Sequence, residues 1–166
     1  MLIFERLDTS CHNRGDFDCG VVALNEYLQN TAHQHIAKGT SNTFILTQED
    51  VRTEIIGYFT LVFSQIEPSI IPPHIVKKLP KHLLPVALLG RLAVDLRHSG
   101  KSYGVIMVVE AAKRVLHAAE NAGGLVGMRV DAKSERLKVF YERLNFIPIP
   151  DSMSLFMPMS TIKQTV

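Results

Sequence analysis

Residues 86–117 read VALLGRLAV, then DLRHSGKSYG, then VIMVVEAAKRVLH. The first block is almost continuously apolar and predicts a strand covered on both faces. The second is polar, with Gly100, Gly104, Arg97 and Lys101, and the third carries apolar residues at helical spacing. A helix N-terminus presents unpaired N–H groups and a partial positive charge, and a glycine loop lets a phosphate approach them closely. The stretch therefore predicts a phosphate-binding device. After Gly123 and Gly124, Leu125 to Val130 reads as another strand, so strand, helix and strand make a βαβ unit with parallel strands. Gly90, inside the first strand, marks a bulge or a close approach of another group.

Working outward, residues 1–10 offer an edge strand through Leu2, Phe4 and Leu7. Asp18 to Ala37 predicts a helix with Asp18 as N-cap, Val21, Leu24, Leu28, Ala32 and Ile36 as its buried stripe, and Gly39 as its stop. Asn42 to Thr47 and Glu54 to Phe63 predict an antiparallel hairpin. Residues 65–85 hold five prolines, with one helical turn expected at Ile75 to Leu79 and ordinary or functional positive charge at Lys77, Lys78 and Lys81. In the helix after the glycine loop, Val105, Val108, Val109, Ala112, Val115, Leu116 and Ala119 should face inward. Ser134 caps a further helix with Leu137, Phe140, Tyr141 and Leu144 as its stripe, Asn145 is suited to a left-handed stop, and short strands follow at Phe146 to Ile149 and Ser154 to Met159. The fold class is α/β, an α+β mixed sheet flanked by helices.

The 166 residues fit one domain, 1–166, with 46% hydrophobic and 20% charged residues as in ordinary globular proteins. Two cysteines, Cys11 and Cys19, make no multi-bridge framework, and no signal segment or membrane span is read, so the cytoplasm is expected. Residues 1–90 carry 7 Lys+Arg against 9 Asp+Glu, and residues 91–166 carry 11 against 7, a basic half that favours an anionic ligand. Gly100, Lys101 and Ser102 end like a nucleotide-binding P-loop. That pattern requires glycine where Asp95 stands, and an acidic side chain there would face the phosphates.

Residues 97–102, ArgHisSerGlyLysSer, resemble the R/QxxGxG/A pyrophosphate signature of the GNAT superfamily of N-acetyltransferases, with Ser102 in place of the second small residue. Further blocks widen the likeness: PheAspCysGly at 17–20, LeuAsnGluTyrLeu at 24–28, GlyTyrPheThrLeu at 57–61, LeuGlyArgLeuAlaValAsp at 89–95 and PheTyrGluArgLeuAsnPhe at 140–146. Together they resemble the GNAT toxins of bacterial toxin–antitoxin pairs. The resemblance implies the GNAT fold, acetyl-CoA as co-substrate without a metal, aminoacyl-tRNA as acceptor, a ribbon-helix-helix antitoxin as partner and no membrane association; it leaves a homodimer open. It implies main-chain contacts to the pantetheine arm at Leu92 and Val94. The pyrophosphate would lie on Arg97, His98, Ser99, Gly100, Lys101, Ser102, Tyr103 and Gly104, with Ser134 also counted on the coenzyme side. It makes Tyr141 the general acid, a role suited to a phenol whose ordinary pKa is near 10; by periodicity alone Tyr141 belongs to the apolar stripe.

Arg91 in an apolar strand is costly to bury unpaired, so it either pairs with Asp95 or another carboxylate, or contacts the tRNA acceptor end or a coenzyme phosphate. Cys19 reads as a packing residue, His33 and His35 do not share a helix face, and the histidines show no HExxH spacing. Two other functions stay open at this level: acetylation of a small amine or a protein N-terminus, and a weakly active GNAT fold kept as a binding partner.

Overall fold

The computed structural model describes residues 1–166. Strand β1 (Leu2–Arg6) pairs antiparallel with β2 (Asn42–Gln48), and β2 with β3 (Gly57–Ile66), through Leu2 opposite Gln48 and Asn42 opposite Leu61. The hairpin and the edge strand are as the alternation predicts, although β3 starts and ends three residues later. Strand β4 (Leu84–Val94) runs parallel to β5 (Gly127–Asp131), in register from Ala87 opposite Met128 to Leu89 opposite Val130. Beyond β5 lie β7 (Ser154–Pro158) and β6 (Ile147–Pro148), both antiparallel to their neighbours. The strand order is β1, β2, β3, β4, β5, β7, β6, a mixed seven-stranded sheet.

Two compact units share these strands: residues 1–62 with 90–108, and residues 63–89 with 109–166. In the first, Tyr27, Leu28, Ala32, Ile45, Ile55, Tyr58 and Phe17 form the core. The predicted helix 18–37 is in fact three pieces: α1 (Val22–Glu26), a π-helical turn (Tyr27–Thr31) and α2 (Ala32–Lys38). Asp18 is not its cap, since Val21 holds the N-cap position and is 50% exposed. In the π turn Ala32 N–H reaches back to Tyr27 O. That extra residue shifts the helical phase and turns both Tyr27 and Leu28 into the core. Gly39 ends α2 in the left-handed conformation, as expected.

The second unit packs Ile66, Ile71, Leu84, Val86, Ile149 and Phe156. The proline-rich stretch is therefore anchored at both ends rather than being one long loop. It holds a 3-10 turn at Pro68–Ile70 and the short α3 (Pro73–Val76), begun two residues before the predicted turn by Pro at its N-terminus. Helix α4 (Tyr103–Ala122) spans residues of both units and buries Met107, Val108, Ala111, Ala112 and Val115. Its inward face is thus rotated from the predicted one, because Met107 and Ala111 fill it where Val105, Val109 and Leu116 do not.

Helix α5 (Glu135–Arg143) starts at Ser134, whose Oγ accepts the Leu137 N–H at 3.2 Å, and closes before Asn145 at φ 71°, both as predicted. Of its predicted stripe only Tyr141 is buried, and Leu137 is exposed. The C-terminal α6 (Met159–Thr165) has no counterpart in the sequence reading. No helix is long and apolar enough to cross a membrane.

A methyl group at Gly127 would run into Met157 O and come within 2.8 Å of the Phe156 ring. The backbone oxygen cannot yield, so Gly127→Ala is expected to cost about 2–3 kcal/mol by overpacking. Urea denaturation of the variant should show a lowered midpoint; an unshifted one contradicts the close packing of β5 on β7.

Candidate active site

The glycine loop hangs on Asp95, the residue after β4. Its backbone N–H donates to Ile56 O at 2.9 Å, and its side chain is 1% exposed. Oδ1 accepts the Arg97 backbone N–H and Arg97 Nε–H, each at 2.9 Å; Oδ2 accepts Arg97 Nη2 at 3.0 Å and the Asp18 N–H at 3.1 Å. Burial pushes the carboxyl pKa up, but the Arg97 side chain, the Arg97 N–H and the Asp18 N–H outweigh it and hold the group below its ordinary value. Leu96 N–H returns to Asp18 O at 2.9 Å, and Asp18 Oδ1 in turn accepts Gly20 N–H and Asn25 Nδ2. The PheAspCysGly and LeuAlaValAsp blocks are therefore one hydrogen-bonded joint.

Both Asp95 oxygens are therefore committed to Arg97 and Asp18, and Asp95 is not the partner of Arg91. Arg97 takes that place, with Glu54 3.6 Å from its Nη1. Its charge, read from sequence as available for a pyrophosphate, is committed to two carboxylates. His98 is drawn to Glu54 as well, at 3.0 Å, and lies edge-on to Tyr103; Ser99 Oγ donates to Leu96 O.

Past this anchor the backbone opens. Gly100 has φ 78° with open space around it, so glycine is required there by the dihedral and not by crowding. Ser102, the departure from the signature, also has a positive φ, 59°, a conformation that costs a non-glycine residue about 1–2 kcal/mol. Ser102 O accepts Ile106 N–H at 3.2 Å and so opens α4. The N–H groups of Gly100, Lys101, Ser102, Tyr103, Gly104 and Val105 have no acceptor in the chain. Together with the helix dipole and the exposed Lys101, they are available to an anion. Leu92 and Val94 lie half-buried on β4 before this loop, where Gly90 does not break the strand but begins the part of it that belongs to the first unit.

Arg91 has neither of the carboxylate partners considered from sequence. Its guanidinium carbon lies 3.5 Å from the centroid of the Tyr27 ring. In the second unit Tyr141 is 5% exposed, with Phe140 and Phe146 edge-on at 5.1 and 5.4 Å. Burial pushes its phenol up to about 12, above the ordinary value assumed from sequence. Ser134 Oγ is occupied as the α5 cap.

Elsewhere, Cys19 packs beside the first core and burial pushes its thiol up, so it is no nucleophile. Glu5, Cys11 and His12 bring donor atoms within 4.8 Å, a cluster that His/His spacing could not reveal. The Asp8 N–H donates to His12 Nδ1, which leaves the proton on Nε2 facing Glu5 at 3.1 Å, while Arg52 clamps Glu5. The imidazole is thereby held as a hydrogen-bond bridge, with no lone pair free for a metal.

A mixed sheet whose fourth strand delivers an anchored glycine loop to a helix N-terminus is the GNAT acyltransferase architecture. No protein-family model matches the chain. A probable toxin TacT of Sinorhizobium fredii is 25% identical over 97% of this chain and 93% of its own, and a tRNA-acetylating toxin of Mycobacterium tuberculosis is 27% identical over 78% and 75%. Among solved structures, a tyrosine-to-phenylalanine mutant of KacT is 30% identical with 99% of both chains covered and a TM-score of 0.92. AtaT complexed with acetyl-methionyl-tRNA is 30% identical with 99% and 98% covered, at 0.91. The chain belongs to the GNAT family of tRNA-acetylating toxins.

Asp95→Asn removes the charge that gathers these donors and should lower unfolding stability by about 2–3 kcal/mol at pH 7. Because the folded carboxyl titrates below its unfolded value, its contribution is present above about pH 4 and lost as pH falls further. Urea curves of parent and variant should thus draw together as pH falls below about 4; a gap that stays as wide in acid as at pH 7 contradicts the assignment.

Proposed function

We propose that the chain moves an acetyl group from acetyl-CoA to the α-amino group of an aminoacyl-tRNA, blocking translation in the bacterial cytoplasm until an antitoxin binds. The reading rests on one observation above the rest: 30% identity across 99% of both chains with KacT, together with comparable likeness to AtaT. AtaT has been solved with acetyl-methionyl-tRNA, with acetyl-CoA and with the C-terminus of its antitoxin AtaR. We take residues 1–166 to act as one catalytic domain, with the antitoxin of ribbon-helix-helix type.

Acetyl-CoA supplies a thioester, whose carbon the neutral amine attacks while the bond to sulfur breaks; the amine's surplus proton passes to water and coenzyme A leaves as the thiolate. The six free N–H groups from Gly100 to Val105 and Lys101 hold the pyrophosphate, and Arg97 and His98 hold the loop. Leu92 and Val94 offer main-chain groups to the pantetheine arm. Tyr141 donates a hydrogen bond from its hydroxyl to the departing sulfur. With its pKa at about 12 the phenol stays protonated at every physiological pH. It acts chiefly as a hydrogen-bond donor to the developing thiolate, since full transfer to a thiolate with a pKa of about 8.5 runs uphill.

Labelled acetyl-CoA incubated with the protein and charged tRNA should place the label on the aminoacyl group; label on free amines with none on charged tRNA overturns the proposal. Tyr141→Phe should reduce kcat at least about 100-fold while thermal midpoint and acetyl-CoA affinity hold. The parent's kcat should show no alkaline decline from this phenol below pH 11. An unchanged kcat in the variant removes Tyr141 from the chemistry.

A further inference from the structure

Arg91 is half-buried, carries a full charge and meets no carboxylate. Its one close partner is an aromatic face, Tyr27, at 3.5 Å. The ring beneath it is buried: it lies near-parallel to Tyr58, at 18° with centroids 6.5 Å apart, and its hydroxyl meets His35 Nδ1 at 3.0 Å and Ser41 Oγ at 3.3 Å. Tyr27 itself opens the π-helical turn, an irregularity concentrated at functional sites. A cation–π contact fixes a guanidinium by its face and leaves the N–H edge, five donors in a fixed fork, free for an anion.

The source of that anion follows from the strand. Arg91 precedes Asp95 by four residues, about 13 Å of extended chain, and the pyrophosphate loop begins beyond Asp95. If the coenzyme lies along Leu92 and Val94 with its pyrophosphate in that loop, Arg91 stands at the acetyl end, where coenzyme A carries no phosphate. The acceptor must then bring the negative charge. We propose that Arg91, seated on Tyr27, anchors a backbone phosphate at the acceptor end of charged tRNA, and that Tyr27 is the residue that positions it. This rests on the function proposed above.

The test measures acetylation of charged tRNA by the parent, Arg91→Ala, Tyr27→Phe, Tyr27→Leu and the Arg91→Ala/Tyr27→Leu double variant. Arg91→Ala should raise KM for charged tRNA about tenfold, leave KM for acetyl-CoA unchanged, and reduce the salt slope of tRNA binding by about one. Tyr27→Phe keeps the ring and should stay within about twofold of the parent, whereas Tyr27→Leu should raise the same KM about fivefold. The double variant should be no worse than Arg91→Ala alone, since the ring acts through the arginine. A raised KM for acetyl-CoA instead assigns Arg91 to the coenzyme and overturns the proposal, as do additive effects or a lowered thermal midpoint with both KM values intact. A parent that leaves charged tRNA unmodified defeats the proposed function and this inference together; an active parent with unchanged Arg91→Ala kinetics defeats this inference alone.

Discussion

A buried carboxylate is tolerated only where donors surround it, and Asp95 collects its donors from two distant stretches of chain. That requirement ties the end of β4 to Asp18, folds Arg97 back over the strand end and sets the direction in which the backbone leaves. Everything the loop can do for a ligand follows from that direction. With the first residues after β4 locked, Gly100 and Ser102 can take left-handed dihedrals and bring six consecutive N–H groups to the head of α4 without acceptors of their own.

The same joint redistributes charge. Arg97 is the cation that a signature match marks first, yet its guanidinium is bound to Asp95 and close to Glu54, so it serves the loop as a brace. Lys101 and the backbone N–H groups from Gly100 to Val105 are left without a partner in the chain. Arg91 shows the opposite arrangement: an arginine without a carboxylate, oriented by a ring and with its hydrogen-bonding edge uncommitted. The two arginines on one stretch of chain are thus held differently because their neighbours differ.

Features governed by nearest neighbours were legible in the sequence. Gly39 and Asn145 as left-handed stops, Ser134 as a cap, the hairpin and the parallel βαβ unit all depend on local dihedrals and short-range periodicity. The loop at 97–104 and the family likeness were legible for the same reason, since the signature is contiguous. The joint was not: Asp18 and Asp95 are 77 residues apart, and the hydrogen bond between them leaves no periodic trace. The π turn escaped because a stripe counted at 3.6 residues cannot register one inserted residue, and with it went the placement of Tyr27 under Arg91. The raised Tyr141 pKa is likewise a property of packing, set by the burial of the phenol and not by the residue's spacing.

On the function proposed above, Asp95 shapes the coenzyme site from behind the loop, through its hydrogen bonds to Asp18 and Arg97. Titration calorimetry of acetyl-CoA into the parent and into Asp95→Asn, both at a temperature where each is folded, addresses it directly. Affinity should be at least about tenfold weaker in the variant, with a loss in enthalpy as the N–H groups cease to be held in place. Equal affinity in the two proteins would show that the loop organises itself without Asp95 and would contradict the account.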